Sequence, residues 1–219
     1  MICFGPTGGS TTRHRQFDRG EFNHALDHLI ALIGQAKACV KIVRELGGFL
    51  GENPAINNFA PVFWSASGSA LAVVAQLWAF KLFDPDSKLT VPCILVQASG
   101  LRTQFGHATP EQVDTIVKLA NCKIAAMPTD SRTQIRSKRH KVIAHLDQRL
   151  VTDPSKIAPD LKVTWSDILT ELQIGSSIVT ELSLAFRGST PSYDLPGTDD
   201  YKRVLEAAMY FLDNKHDEL

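Results

Sequence analysis

The chain is poor in cysteine: Cys3, Cys39, Cys93 and Cys122 are the only four in 219 residues, and no two form a C-x-x-C pair. That excludes a disulfide scaffold, a zinc knuckle and a dithiol redox motif, and it fits a reducing compartment. An excess of charge of one sign is also lacking, since 23 Lys plus Arg face 23 Asp plus Glu. A globally basic nucleic-acid coat and an acidic solvating chain are therefore excluded. Glycine and proline, 14 and 11, are too few and too irregular for a collagen-like chain. The opening residues show no basic region followed by a long apolar run, so no secretory signal is expected. His216, Asp217, Glu218 and Leu219 spell a luminal retrieval address, but such an address acts only on a chain that has entered the lumen. It is read as coincidence, and a cytoplasmic location is expected.

What is present is the composition of an ordinary globular chain, 44% apolar and 21% charged, of a length that suits one domain. The zero net charge is a sum of opposed regions. From Ser131 to Arg149 there are six cations (Arg132, Arg136, Lys138, Arg139, Lys141, Arg149) and one acid, Asp147, a net of +5. From Asp194 to the end, seven acids face Lys202, Arg203 and Lys215, a net of −4. One short stretch thus carries a focused positive field, the natural place for an anionic partner.

Periodicity predicts helices throughout. Residues 1–20, rich in Gly, Thr and Arg, read as a mobile N-terminal segment, and 21–215 as a single helical domain. Phe22, Leu26, Leu29, Ile33, Ala36, Val40 and Val43 recur at gaps of 4 and 3, one stripe along a helix from Glu21 to about Leu46. Gly47 and Gly48 are expected to end it. After a loop over 51–57, Asn58 as cap and Pro61 in the first turn open a second helix to about Phe83. Phe59 to Phe80 holds no charge in 22 residues, long enough to span a bilayer. Its serines (Ser65, Ser67, Ser69), Gln76 and Pro61 favour instead a central helix buried on most of its surface, with no membrane partner. The piece Val91–Val96 reads as a short helix or a strand. Thr109 and Pro110 open a third helix with the stripe Val113, Ile116, Ala120, Ile124 and Met127. After Pro128, Asp130 or Ser131 caps a continuation to about Gln148. Further helices are expected from about Trp165 to Phe186, and from Asp199 through Val204, Leu205, Ala208, Phe211 and Leu212. The fold class is all-α, a bundle of four to five long helices.

Three patterns bear on chemistry. Gly5 to Thr12 resembles a phosphate loop, but Thr11 stands where the lysine is needed and no strand precedes it, so that reading is rejected. His24 and His28, at i and i+4, have a metal-chelating spacing. They lie roughly 200–240° around the helix from Phe22, so a solvated polar face is expected and no metal. The third is the basic stretch. Ile135, Arg139, Val142 and Leu146 fall at gaps of 4, 3 and 4, which sets Arg139 on an apolar stripe. An arginine there must snorkel, meet a carboxylate, or line a shared cleft. His145 projects about 120° away, on the side of Lys138 and Lys141. Arginine beside histidine amid cations suits a phosphate-bearing substrate, with His moving a proton and Arg holding charge on phosphorus. A solvated basic face with one paired arginine fits the same residues.

Arg139, five intervening residues and His145, with the polar His140 directly after the arginine, resemble the Arg-x(4–6)-His signature of the HEPN superfamily. The string from Arg139 to Asp147 is similar to the form found in its abortive-infection, AbiU-type branch. The resemblance implies a HEPN-like bundle over roughly 20–215 and endoribonuclease activity without metal or other cofactor, in a homodimer whose motif helices share one cleft. Carried over, His145 is the general base or acid, Arg139 stabilises the transition state, and His140 supports the site or contacts RNA. Arg136, Lys138, Lys141 and Asp147 take supporting or RNA-binding places. Asp147 stands where another branch has a tyrosine, so control by tyrosine modification is not expected.

Three functions follow as expectations: a ribonuclease toxin or phage-defence effector, held by an antitoxin protein in some such systems; a silent HEPN module that binds RNA, nucleotide or a partner protein; and a metal-dependent bundle enzyme using His24 and His28. For dimerisation, the small-residue run Ser65–Ala70 and the seam near Arg139 are the expected contact surfaces.

Overall fold

The computed structural model describes residues 16–84, 87–127 and 164–214. Among these residues are seven α-helices and no strand: α1 (Arg19–Glu52), α2 (Pro54–Phe59), α3 (Pro61–Leu82), α4 (Val91–Gly100), α5 (Pro110–Ala125), α6 (Trp165–Arg187) and α7 (Asp200–Asn214). Five are long, and the all-α bundle is as the periodicity requires.

Helix α1 starts at a capping box. The Asp18 carboxylate accepts from the Glu21 amide at 2.8 Å, and Glu21 accepts from the Asp18 amide at 3.0 Å. Just ahead of it, Gln16 donates to the Gly100 carbonyl and the Phe17 amide donates to the Gln97 side chain, so this part of the lead-in is tied to α4. At the other end the helix runs through Gly47 and Gly48 instead of stopping there. Two helical glycines cost propensity. Leu46, Phe49 and Leu50, however, bury against Ile56, Trp64 and Leu205, and that packing carries the helix on. The stop comes at Asn53, whose side chain and backbone amide both donate to the Phe49 carbonyl. Pro54 then begins α2 where a loop was expected, Asn58 falls inside that helix, and α3 follows Ala60 with no side-chain cap.

The main core forms where the stripe of α1 meets α4, α5, α6 and the C-terminal half of α3. Phe22, Leu26, Leu29, Ile33, Leu82, Ile94, Leu95, Leu172, Ile178 and Leu182 are all buried there. Phe186 meets Phe22 and Phe105 edge to face, and those two are tilted against each other, with ring centroids 4.9–5.5 Å apart. Arg187 pins the start of α1 to the end of α6, donating to the Asn23 side chain and carbonyl and pairing with Asp27 at 2.8 Å. Leu169, near the start of α6, lies beside Val40 and Arg44. The two helices are therefore antiparallel.

Helix α3 departs from expectation. Only Trp64, Ala75, Ala79, Phe80 and Leu82 are buried, so the helix is covered at its C-terminal half and largely bare before Val74. The cause is stagger. Gly175, mid-way along α6, packs on Leu82 and Phe83, which leaves the N-terminal half of α3 beyond the reach of α6. The apolar piece after residue 90 is a helix, α4, capped by Thr90 accepting from the Cys93 amide. Helices α5 and α6 each begin at a capping box, Thr109 with Gln112 and Thr164 with Asp167.

Two glycines of α1 separate backbone propensity from packing. An added Cβ at Gly48 meets nothing within 4 Å, whereas at Gly34 it stands 2.9 Å from the Tyr193 carbonyl oxygen. Gly48→Ala is expected to stabilise the protein by about 0.5–1 kcal/mol. Gly34→Ala is expected to lower stability by about 1–3 kcal/mol through overpacking. Urea unfolding of both variants checks the opposed signs.

Candidate functional site

The residues singled out for chemistry in the basic stretch, Arg136, Lys138, Arg139, His140, Lys141, His145 and Asp147, lie outside the described residues, within 128–163. The described structure fixes the two ends between which they are strung, Met127 and Thr164. Helix α5 runs antiparallel to α6: the His107 amide donates to the Ala185 carbonyl at one end. Lys123, a turn before the end of α5, bridges Ser177 at 3.0 Å and Glu181 at 2.8 Å. Ser177 and Glu181 lie just past the middle of α6, whereas Thr164 stands at its start, the end where Leu169 lies beside Val40 and Arg44 of α1.

That end carries a basic edge absent from the sequence reading. Lys37, Lys41 and Arg44, at i, i+4 and i+7, share one face of α1. With Val40, Glu45 and Leu169 they line an open groove of about 480 Å³. The spacing is present in the sequence, but only the fold shows that these cations border one groove. The acidic linker between α6 and α7 lies against this edge. Lys37 Nζ sits 4.5 Å from the centre of the Tyr193 ring, and burial pushes its pKa down while Asp194 partly restores it. Tyr193 is held in turn by donating to the Ser176 carbonyl and by a 3.0 Å hydrogen bond with Thr180. Lys41 and Lys202 both reach Asp199 at 3.0 Å, and Tyr201 donates to the Glu45 carboxylate. Lys37, Lys41, Tyr193, Asp194 and Asp199 enclose a further cavity of about 350 Å³.

His24 and His28 are exposed on α1, as their angle to the apolar stripe requires. Among the described residues no third His, Cys, Asp or Glu joins them in a metal-holding group. A groove of about 510 Å³ between α5 and α6 is lined by His107, Glu111, Thr115, Ile116, Glu181 and Leu184. Its two carboxylates oppose an anionic ligand.

The family model HEPN_AbiU2, described as AbiU2, matches residues 55–206 of the chain. The match therefore takes in the helices from α2 to the start of α7 and the whole stretch from Arg136 to Asp147, and leaves out α1. Comparisons with curated proteins and with solved structures return no match.

Hydrogen bonds from Lys41 and then Lys202 hold the Asp199 pKa below its ordinary 3.8. A depressed carboxylate adds stability above its unfolded pKa and loses it as pH falls through the folded one. Asp199→Asn is therefore expected to lower the melting temperature slightly at pH 6, and the gap is expected to close below about pH 3.8, read by thermal scans across pH.

Proposed function

The chain belongs to the AbiU2 family of HEPN proteins, and from that premise we propose that it is a metal-independent endoribonuclease acting as an abortive-infection effector. The observation that carries this reading is that the family match extends across a segment holding both Arg139 and His145 in the Arg-x5-His arrangement.

The chemistry follows from those two side chains. Neither supplies a nucleophile of its own to a phosphodiester, but RNA brings one, the 2′-hydroxyl beside each phosphate. His145 takes the proton as the 2′-oxygen attacks phosphorus, and the P–O5′ bond breaks as the leaving oxygen gains a proton. Arg139 holds the charge that builds on the equatorial oxygens. The products are a 2′,3′-cyclic phosphate and a 5′-hydroxyl. Base and acid act at opposite ends of this displacement, so one histidine serves poorly for both. A homodimer that brings two copies of Arg139 and His145 to one cleft supplies the pair. His140, Arg136, Lys138 and Lys141 track the RNA backbone by charge, and Asp147 orients His145.

The test is cleavage of total RNA and tRNA in EDTA, with the new ends mapped. Wild type is expected to leave cyclic phosphate. His145→Ala, with unchanged circular dichroism, is expected to lose at least about 100-fold in rate, and Arg139→Ala about 100- to 1,000-fold. RNA bound by wild type and His145→Ala alike, with no turnover by either, replaces the enzyme with a silent binding module. Loss of activity in EDTA that a divalent ion restores sinks the metal-independent mechanism.

A further inference from the structure

Lys37, Lys41 and Arg44 stand in a row along one face of α1, beside a groove that Leu169 helps to line. Arg44 is exposed and takes no carboxylate partner among the described residues. The linker between α6 and α7 already lays acids on the other two cations. Asp199 meets Lys41 at 3.0 Å, and Asp194 shares a cavity of about 350 Å³ with Lys37 and Lys41. We infer that this row binds the phosphodiester backbone of a single nucleic-acid strand, and that Asp194 and Asp199 occupy it as internal competitors until a strand displaces them.

The spacing of the row suits a strand. Seven residues of helix set Lys37 about 10 Å from Arg44, and over that length one strand presents about three phosphates. The groove is open, about 480 Å³, so a chain can lie along it and continue past both ends. Leu169, 36% exposed, gives it an apolar patch for the face of a sugar or base. The acid beside the row, Glu45, is answered from α7: it accepts from the Tyr201 hydroxyl and faces Lys202 at 3.8 Å. It therefore opposes an incoming phosphate less than its formal charge suggests.

Exchanging the linker's acids for phosphates costs little. The side chains of Lys41 and Asp199 are 43% and 60% exposed, and pairs so exposed are weak and screened by salt. Asp194 is exposed as well. Each carboxylate has only to turn out to water while the linker backbone stays in place, with Tyr193 still tied to Thr180 and to the Ser176 carbonyl. A nucleic-acid strand also gains what two separate carboxylates do not, the release of the counterions condensed on it. The linker thus sets a threshold that favours a polyanion over isolated anions.

That the strand is RNA rests on the ribonuclease reading above; the site itself rests on α1 and the linker. The experiment is fluorescence anisotropy of the full chain with a labelled single strand of about 20 nucleotides, longer than the site. Its riboses are 2′-O-methylated throughout so that no 2′-hydroxyl can attack, and the titration is repeated at several salt concentrations. The double variant K41A/R44A is expected to bind about 10-fold more weakly at 0.1 M salt. Its plot of log K against log salt is expected to flatten by about 1.4, since each lost phosphate contact removes about 0.7. Asp199→Asn is expected to bind about 2- to 5-fold more tightly, the worth of an exposed ion pair.

Asp199→Asn breaks the same Lys41 pair from the other side, so a purely structural effect of losing that pair moves both variants alike. Opposite shifts support the site. Parallel shifts, or an unchanged salt slope in K41A/R44A, overturn it. If K41A/R44A does not fold, Asp199→Asn decides alone, and unchanged or weaker binding overturns the proposal. Wild type that binds the methylated strand in the expected pattern yet leaves natural RNA intact sinks the nuclease and spares this site. Cleavage of natural RNA with affinity indifferent to Lys41, Arg44 and Asp199 does the reverse.

Discussion

The continuous apolar stripe of α1 is the constraint on which the rest of the structure depends. Over 34 residues, about 51 Å of helix, it presents one seam to two separate clusters. Phe22 to Val40 serves the main core with α4, α5 and α6, while Leu46 anchors the satellite with α2, α3 and α7. Helix α3 follows it along both, with Trp64 in the satellite and Ala75, Ala79 and Leu82 in the main core. The antiparallel descent of α6, fixed by Arg187 on Asn23 and Asp27, then sets where Thr164 stands. Helix α5 runs the other way along α6, with Lys123 held by Ser177 and Glu181.

Much of this frame was legible in the sequence because it depends on local signals. The capping residue Thr109 and the stripe of α5 both follow from a few neighbouring residues. The misreadings share a cause, which is packing across distance. Gly47 and Gly48 carry a stop signal in sequence, yet Trp64 and Leu205 hold the helix together across it. A charge-free 22-residue helix reads as buried, yet its burial depends on how far along it α6 begins, a stagger set by Gly175 on Leu82 and Phe83. Sequence periodicity gives the apolar face of a helix but not how much of its length a neighbour covers.

The site divides along the same line. Arg139 and His145 were found as a motif, and the family match spans them; they lie outside the described residues, so their geometry rests on sequence and kinship. The basic edge of Lys37, Lys41 and Arg44 was found only in three dimensions. Its meaning comes from the acidic linker laid against it, through Lys37 on Tyr193 and Lys41 on Asp199. These contacts join residues more than 150 positions apart, beyond any local pattern. Two acids of the C-terminal region are thus directed at α1, Asp199 through Lys41 and Asp194 through Lys37.

The way α7 is fastened has a consequence for how the molecule comes apart. Among residues 200–210 only Leu205 is buried, and the ties seen there include the Tyr201 hydroxyl on Glu45 and pairs of Lys202 with Glu45 and Asp199 at the surface. Surface pairs hold little free energy, and a single leucine contributes only a few kilocalories. While the linker before it stays tied to α6 through Tyr193, helix α7 over residues 200–210 has an opening free energy well below that of the Phe22–Phe105–Phe186 core. Its amides exchange with solvent through this local opening and those of α1 and α6 only through the global one. In the terms of cooperative folding units, the C-terminal helix is the first to leave, and its departure uncovers Trp64 and the end of α3 while the main bundle stays closed.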